Sequence, residues 1–362
     1  MDNRLDLLTS VSGIKITNVS DWEKFRKPEI TVLLENFVYG VRPYETPEKI
    51  EFVQKRCEDT YLGHDIRYKE IEIRVNDVPF DLQLFLPKSA LSVPVFLFIE
   101  NEYYIKQVDF SKKIDYDFLP ICDILSRGYG MAVLPVTKVY PDWTHHAEFK
   151  KGVFAAMQPN VLRRTPASWA GISAWAFGAS RVMDYLERDA DVEHTKTAVI
   201  GHSRCGKAAL WAGATDPRFA LVVSNSSGCT GAAYTRGKKG EHIKDINISD
   251  WFCDNYRCYN DREEMLPLDQ HWLLSLIAPR PLYIKSDGLD EWADPEAELF
   301  SAKLASAVYE LYGKKGVITD EKIVPNKKYH AGTIAYHRTP HEHDLTAFDW
   351  QCYMDFADVY LK

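Results

Sequence analysis

Residues Thr197 to Lys207 read TAVIGHSRCGK. Four strand-forming residues run directly into Gly201, with Ser203 two residues on and Gly206 three after that. A short apolar run of this kind is a buried strand. The Ala- and Leu-rich stretch from Ala208 to Ala214 then starts a helix. A serine at the apex of a strand-turn-helix has the setting of a nucleophile elbow, which needs small neighbours because strand and helix approach closely. Gly201 and Gly206 supply that room. The spacing is G-x-S-x-x-G, with the small residue Cys205 where a second glycine usually falls.

Other short apolar runs flank this one: PVFLFIE from Pro94 to Glu100, GMAVLPV from Gly130 to Val136, ALVVS from Ala220 to Ser224 and LYIK from Leu282 to Lys285. They read as buried strands of a mostly parallel sheet. Between the second of these and TAVI, Ser168 to Glu187 has helical spacing, with Ile172, Trp175, Ala176, Ala179 and Val182 near one face. Tyr68 to Leu86 alternates around Asn76-Asp77, as a β-hairpin does. Asp21 to Tyr39 carries Val32, Leu33, Leu34 and Phe37 at helical spacing and is expected to wrap the core. Strands alternating with helices predict an α/β fold, a three-layer sandwich around a mostly parallel sheet. Residues 1–362 are expected to form a single domain, with about 1–66 an N-terminal extension packing on it. Ligands of such sheets bind beyond the carboxyl ends of the strands. The chemistry belongs just after TAVI, ALVVS and LYIK.

The chain's 362 residues are 46% hydrophobic and 27% charged, the balance of a globular protein with a substantial core. A net charge of -8, with no Lys/Arg-rich tract, argues against a nucleic-acid partner. Seven cysteines, an odd number spread over the chain, read as reduced thiols, and Cys253 and Cys258 lack a second pair to make a zinc site. No run approaches a membrane span. The start, Met1-Asp2-Asn3-Arg4, has no apolar signal-peptide core. A cytoplasmic location is expected, or a secreted one if a signal has been trimmed.

A serine hydroxyl is a weak nucleophile and needs a base. In α/β-hydrolases the chain order is serine, acid, histidine. After LYIK come Asp287, Asp290, Glu291 and Asp294; Asp290 is the expected acid, and Asp294 the cap of the helix beginning PEAELF. His330, His337, His341 and His343 follow. His343, in HEHDLTAFDW just before a final amphipathic helix, is the expected base.

These residues resemble a family. GHSRCGK, WAFGASRVMDYLE, NDREEMLPLDQHWLLSLIAPRPLY, DEWADP and HDLTAFDW, in this order over roughly residues 20 to 360, resemble the glucuronoyl esterases of carbohydrate esterase family 15. The resemblance implies an α/β-hydrolase fold and cleavage of the ester between a 4-O-methyl-glucuronic acid branch of glucuronoxylan and a lignin alcohol. It implies no metal and no cofactor. It makes Ser203 the nucleophile, His343 the base and Arg204 the support of the oxyanion. Lys207 and Glu241 are implied to bind sugar hydroxyls and Trp292 to line the sugar pocket. Without the resemblance, Lys207 reads as a solvated helix residue, Glu241 as a loop charge and Trp292 as core.

Two departures stand out. Some relatives carry the triad carboxylate just after the strand that follows the nucleophile helix, where this chain has Ser226 in SNSSGC; the role falls to Asp290. Val95 to Tyr104 lacks the glycine-rich, Asn-containing turn of many relatives, which bears on local pocket shape and substrate range. A glucuronate ester or glucuronoxylan fragment is the expected partner, and a monomer the expected state. One rival function is an esterase of the same fold acting on acetyl or other small acyl groups. Another is a non-catalytic carbohydrate-binding protein, which would need no triad and would not be labelled by a fluorophosphonate.

Overall fold

A computed structural model of the chain describes residues 5–43, 49–89, 91–101, 111–142, 149–158, 160–247 and 249–362. Eleven strands occur among them: β1 (Ile50–Glu58), β2 (Ile66–Val75), β3 (Val78–Pro87), β4 (Val93–Glu100), β5 (Asp115–Tyr116), β6 (Leu119–Pro120), β7 (Gly130–Pro135), β8 (Val192–His202), β9 (Leu221–Asn225), β10 (Leu282–Asp287) and β11 (Ile334–Thr339). Nine form one sheet in the order β1-β2-β3-β7-β4-β8-β9-β10-β11. From β7 to β11 all neighbours are parallel, whereas β1, β2 and β3 join as an antiparallel edge. β1 lies within the first 66 residues, so the segment expected as an extension also supplies the edge strand of the sheet.

Both faces of the parallel strands are buried, and alternate residues feed opposite cores. Val95, Leu97 and Ile99 face the helices Gly171–Leu186, Arg204–Thr215 and Pro295–Leu311. Phe96 and Phe98 face the helices Ile121–Ser126 and Ala347–Leu361. This is the three-layer α/β-hydrolase sandwich. The hairpin turns where expected: Val75 pairs with Val78, and Asn76 and Asp77 have φ of 45° and 68°. Two positive φ values are what a tight two-residue hairpin turn requires, and Asn and Asp tolerate them.

Near the N-terminus the buried stripe differs from expectation. Val32 is half exposed, and Leu33 and Phe37 are only partly buried. A buried stripe instead runs Trp22, Arg26, Ile30, Leu34 and Val38, each four apart, with Tyr39 buried beside its end. In a pure α-helix a four-residue repeat drifts about 40° per step. Here π-helical turns at Trp22–Arg26 and Glu35–Tyr39 bracket α-helix Lys27–Leu34, and their wider turns hold the stripe against the core. No helix among the described residues is long and apolar enough to cross a membrane.

Candidate active site

Ser203 stands between β8 and the helix Arg204–Thr215 with φ 58° and ψ -128°. That conformation is costly for a residue with a Cβ, and it persists only because the surroundings impose it. The Ser203 N–H donates to the Asn225 carbonyl at 2.9 Å, and its own carbonyl accepts from Gly206 and Lys207. A Cβ at Gly201 would lie 2.0 Å from the Cys205 carbonyl oxygen, and one at Gly206 2.9 Å from the Ser227 Cβ. The two glycines are thus required by the close approach of strand and helix. Cys205, in the usual place of a glycine, is buried.

The ends of β9, β10 and β11 deliver the remaining groups. Asp290 follows β10, and its Oδ2 lies 2.5 Å from His343 Nδ1 in the loop after β11. The Ala293 N–H donates to Asp290 Oδ1 at 3.0 Å. Burial raises the Asp290 pKa, but the hydrogen bond and charge of His343, with this N–H, outweigh it and hold the carboxyl below its ordinary range. Asp287 is committed otherwise: it accepts from Ser226 and Thr339 hydroxyls, both at 2.7 Å, from the Asp344 N–H at 3.1 Å, and from the buried Lys285 ammonium. Glu291 is exposed, and Asp294 caps Pro295–Leu311 by accepting the Ala297 N–H. Of the other histidines, His337 is buried between Tyr283 and Asp349, His330 bonds the Tyr283 hydroxyl, and His341 is exposed.

Ser203, Arg204, Lys207, Ser226, Ser227, Gly228, Glu241, Trp251, Trp292 and His343 are among the residues that wall one cavity of about 240 Å³. Lys207 is buried, its Nζ donating to the Ser227 carbonyl at 2.7 Å and to Glu241 Oε2 at 3.0 Å. It is not a solvated helix residue, and Glu241 is not a free loop charge. Trp292 is 54% exposed and lines the cavity rather than the core. Ser203, Arg204, Lys207, Glu241, Trp292 and His343 thus share one cavity, with Asp290 bonded to His343. Of the stretch Val95 to Tyr104, residues 102–104 lie outside the described residues.

Several supporting groups carried no sequence signal. Asp142 accepts from Arg204 Nη1 at 2.7 Å and from Trp251 Nε1 at 2.8 Å, while the Trp251 ring underlies the guanidinium at 5.0 Å. His202 packs against His343, with ring centroids 4.5 Å apart and the planes tilted by 42°. Burial, helped by the neighbouring charges of His343, Lys285 and Arg204, pushes its pKa well below the usual histidine value and keeps it neutral. Asn225 Nδ2 donates to His202 Nδ1 at 2.6 Å and to the Asp344 carbonyl at 2.9 Å, which helps fix the loop bearing His343. These partners lie far away in sequence, so only the fold reveals them.

A family model described as glucuronyl esterase of fungi matches residues 161–313. A solved glucuronoyl esterase from Solibacter usitatus superimposes with a TM-score of 0.90 at 35% identity, covering 99% of this chain and 98% of that one. A carbohydrate esterase from an unknown prokaryotic organism is 37% identical, over 98% of this chain and 89% of the relative. The chain belongs to the glucuronoyl esterases of carbohydrate esterase family 15. As a member of that family it is a carboxylic ester hydrolase, which sets aside a purely carbohydrate-binding role. A solved family 15 esterase from a marine bacterial metagenome, described as promiscuous, is 36% identical with a TM-score of 0.85, covering 98% of this chain and 96% of its own. The 4-O-methyl-glucuronoyl methylesterase 1 of Wolfiporia cocos is 35% identical over 42% of this chain and 40% of its own.

Proposed function

We propose that this esterase hydrolyses the ester between a glucuronic acid of glucuronoxylan, with or without its 4-O-methyl group, and an alcohol such as that of lignin, using Ser203, His343 and Asp290 as a triad. The reading is carried by one observation. His343, paired with Asp290, and Ser203 open on the same cavity as Lys207, Glu241 and Trp292.

In this reading His343 takes the Ser203 proton and the hydroxyl oxygen attacks the uronoyl carbonyl. Asp290 fixes the imidazole through Nδ1 and balances its charge once protonated. Arg204, held in place by Asp142, offers guanidinium hydrogen bonds to the oxyanion beside the first N–H groups of the nucleophile helix. His343 returns the proton to the leaving alcohol. Water, deprotonated by the same histidine, then cleaves the acyl-enzyme and releases the uronate. Lys207 and Glu241 offer a donor and an acceptor to sugar hydroxyls, with Trp292 at the edge.

The second reading, a small-acyl esterase, draws on the relative described as promiscuous. Rates on benzyl glucuronate and on 4-nitrophenyl acetate separate the two. The uronate reading expects Lys207→Ala to lower kcat/KM on the glucuronate by about 100-fold, the scale of a lost charged hydrogen bond, and to leave the acetate within about threefold. An equal loss on both esters, or none on either, removes the uronate site.

A further inference from the structure

Beyond β9 the backbone from Ser227 to Cys229 has three consecutive attachments. The Ser227 carbonyl accepts from Lys207 at 2.7 Å. The Gly228 N–H donates to Glu298 Oε1 at 3.0 Å. The Cys229 N–H donates to Glu241 Oε2 at 3.1 Å, the same oxygen that accepts from Lys207. Two of the three attachments are therefore the proposed sugar-binding residues themselves, and the middle one is Glu298. The fit is tight, since Gly228 has φ +61° and a Cβ there would lie 2.9 Å from Glu241 Oε2. Glu298 sits in the first turns of Pro295–Leu311 and is fully buried. Its other oxygen accepts from the Ser286 hydroxyl on β10 at 2.6 Å. It thus ties the strand that leads to Asp290 to the backbone that carries the pair.

We propose that Glu298 is a positioning residue for the Lys207–Glu241 pair, holding Ser227–Cys229 in the register at which that pair meets the uronate. The inference rests on reading Lys207 and Glu241 as the sugar-binding groups. Asp287 and Asp290 face Glu298 from the end of β10, Tyr336 from β11, and the Lys207–Glu241 pair lies across the Gly228 segment. Burial, with Asp290 and Asp287 adding to it and the Ser286 and Gly228 hydrogen bonds opposing, pushes Glu298 up to about 7. Above that pH the carboxylate accepts from Ser286 and Gly228 in strong, charge-assisted bonds, and from the Ser227 hydroxyl in a longer one of 3.5 Å. Below it one oxygen carries a proton, Ser286 has to turn and accept, and the hold on Gly228 weakens.

The test is kcat and KM for benzyl glucuronate and 4-nitrophenyl acetate between about pH 6 and about pH 8, in the wild type, Glu298→Gln and Glu298→Ala. An amide donates to Ser286 and accepts from Gly228 at every pH, so it mimics the protonated acid. The wild-type KM for the glucuronate should fall several-fold as pH rises, and that of Glu298→Gln should stay flat at the low-pH value. Glu298→Ala should raise the glucuronate KM about tenfold, with kcat within about threefold and the acetate KM unmoved. A Glu298→Gln curve that tracks the wild type, or an alanine variant that shifts both esters alike, overturns the proposal. If the alanine variant does not fold, the glutamine curve decides. Wild-type protein inactive on the glucuronate but active on the acetate would instead defeat the underlying uronate reading, and no variant is needed to see it.

Discussion

At φ 58° and ψ -128° Ser203 holds a conformation worth about 1–3 kcal/mol of local strain. In that conformation Ser203 stands at the strand-helix junction and on the wall of the cavity. The strain is sustained by the Ser203–Asn225 backbone hydrogen bond and by the close strand-helix packing that Gly201 and Gly206 permit. In the proposed triad Asp290 is the matching group on the base side, since its carboxylate selects the His343 tautomer with the proton on Nδ1 and leaves Nε2 to act on the serine. Asp290→Asn removes that charge with little change in shape. It should lower kcat on a glucuronate ester by about 10²- to 10⁴-fold and leave KM within about threefold, as steady-state kinetics will show. A variant retaining full kcat would hand the acid role to another carboxylate, and Asp287, next to it, is the one to try. Ser203, Asp290 and His343 could be proposed from the sequence because chain order and strand ends constrain them. Asp142 and Glu298 were not, because each acts through a partner more than 60 residues away.

Strands β4, β7, β8, β9 and β10 were legible because each contains a short apolar run buried on both faces, Ala198–Ile200 in β8 and Leu282–Ile284 in β10. β11 was not. Its sequence, IAYHRT, breaks the run with His337 and Arg338. In the fold these polar groups have partners: His337 bonds Tyr283 and Asp349, and Arg338 pairs with Glu296. The same physics misplaced the N-terminal stripe, because a four-residue repeat seats on one face only where π turns interrupt the α-helix, and apolar spacing alone does not announce those. The β2–β3 hairpin depends instead on two residues. Asp77 at φ 68° is replaced by Asn at little cost, since its ion pair with Lys49 is exposed. Asp77→Val should cost about 1–2 kcal/mol, because a β-branched residue resists a left-handed conformation. Thermal unfolding of the two variants checks this, and an unchanged Tm for the valine variant would contradict the turn.

Taken as one molecule, the protein builds its site from four adjacent strand ends. β8 supplies Ser203, β9 leads to the backbone that holds Lys207 and Glu241, β10 leads to Asp290 and β11 to His343. No single element contains the chemistry, so the α/β architecture itself brings together residues spread over about 140 positions. The architecture and the reaction class were readable from strand runs, motif order and family resemblance, whereas the framework that orients Arg204, His343 and the Lys207–Glu241 pair is a property of the assembled sheet. The claim that unites these scales is that Ser203 is the nucleophile of a uronate ester hydrolase. Its most direct test is turnover of benzyl glucuronate by the wild type and by Ser203→Ala, with folding of both confirmed by circular dichroism. Turnover by the wild type and a loss of at least about 10³-fold in the variant are expected. A folded Ser203→Ala protein that hydrolyses the ester at the wild-type rate would contradict it.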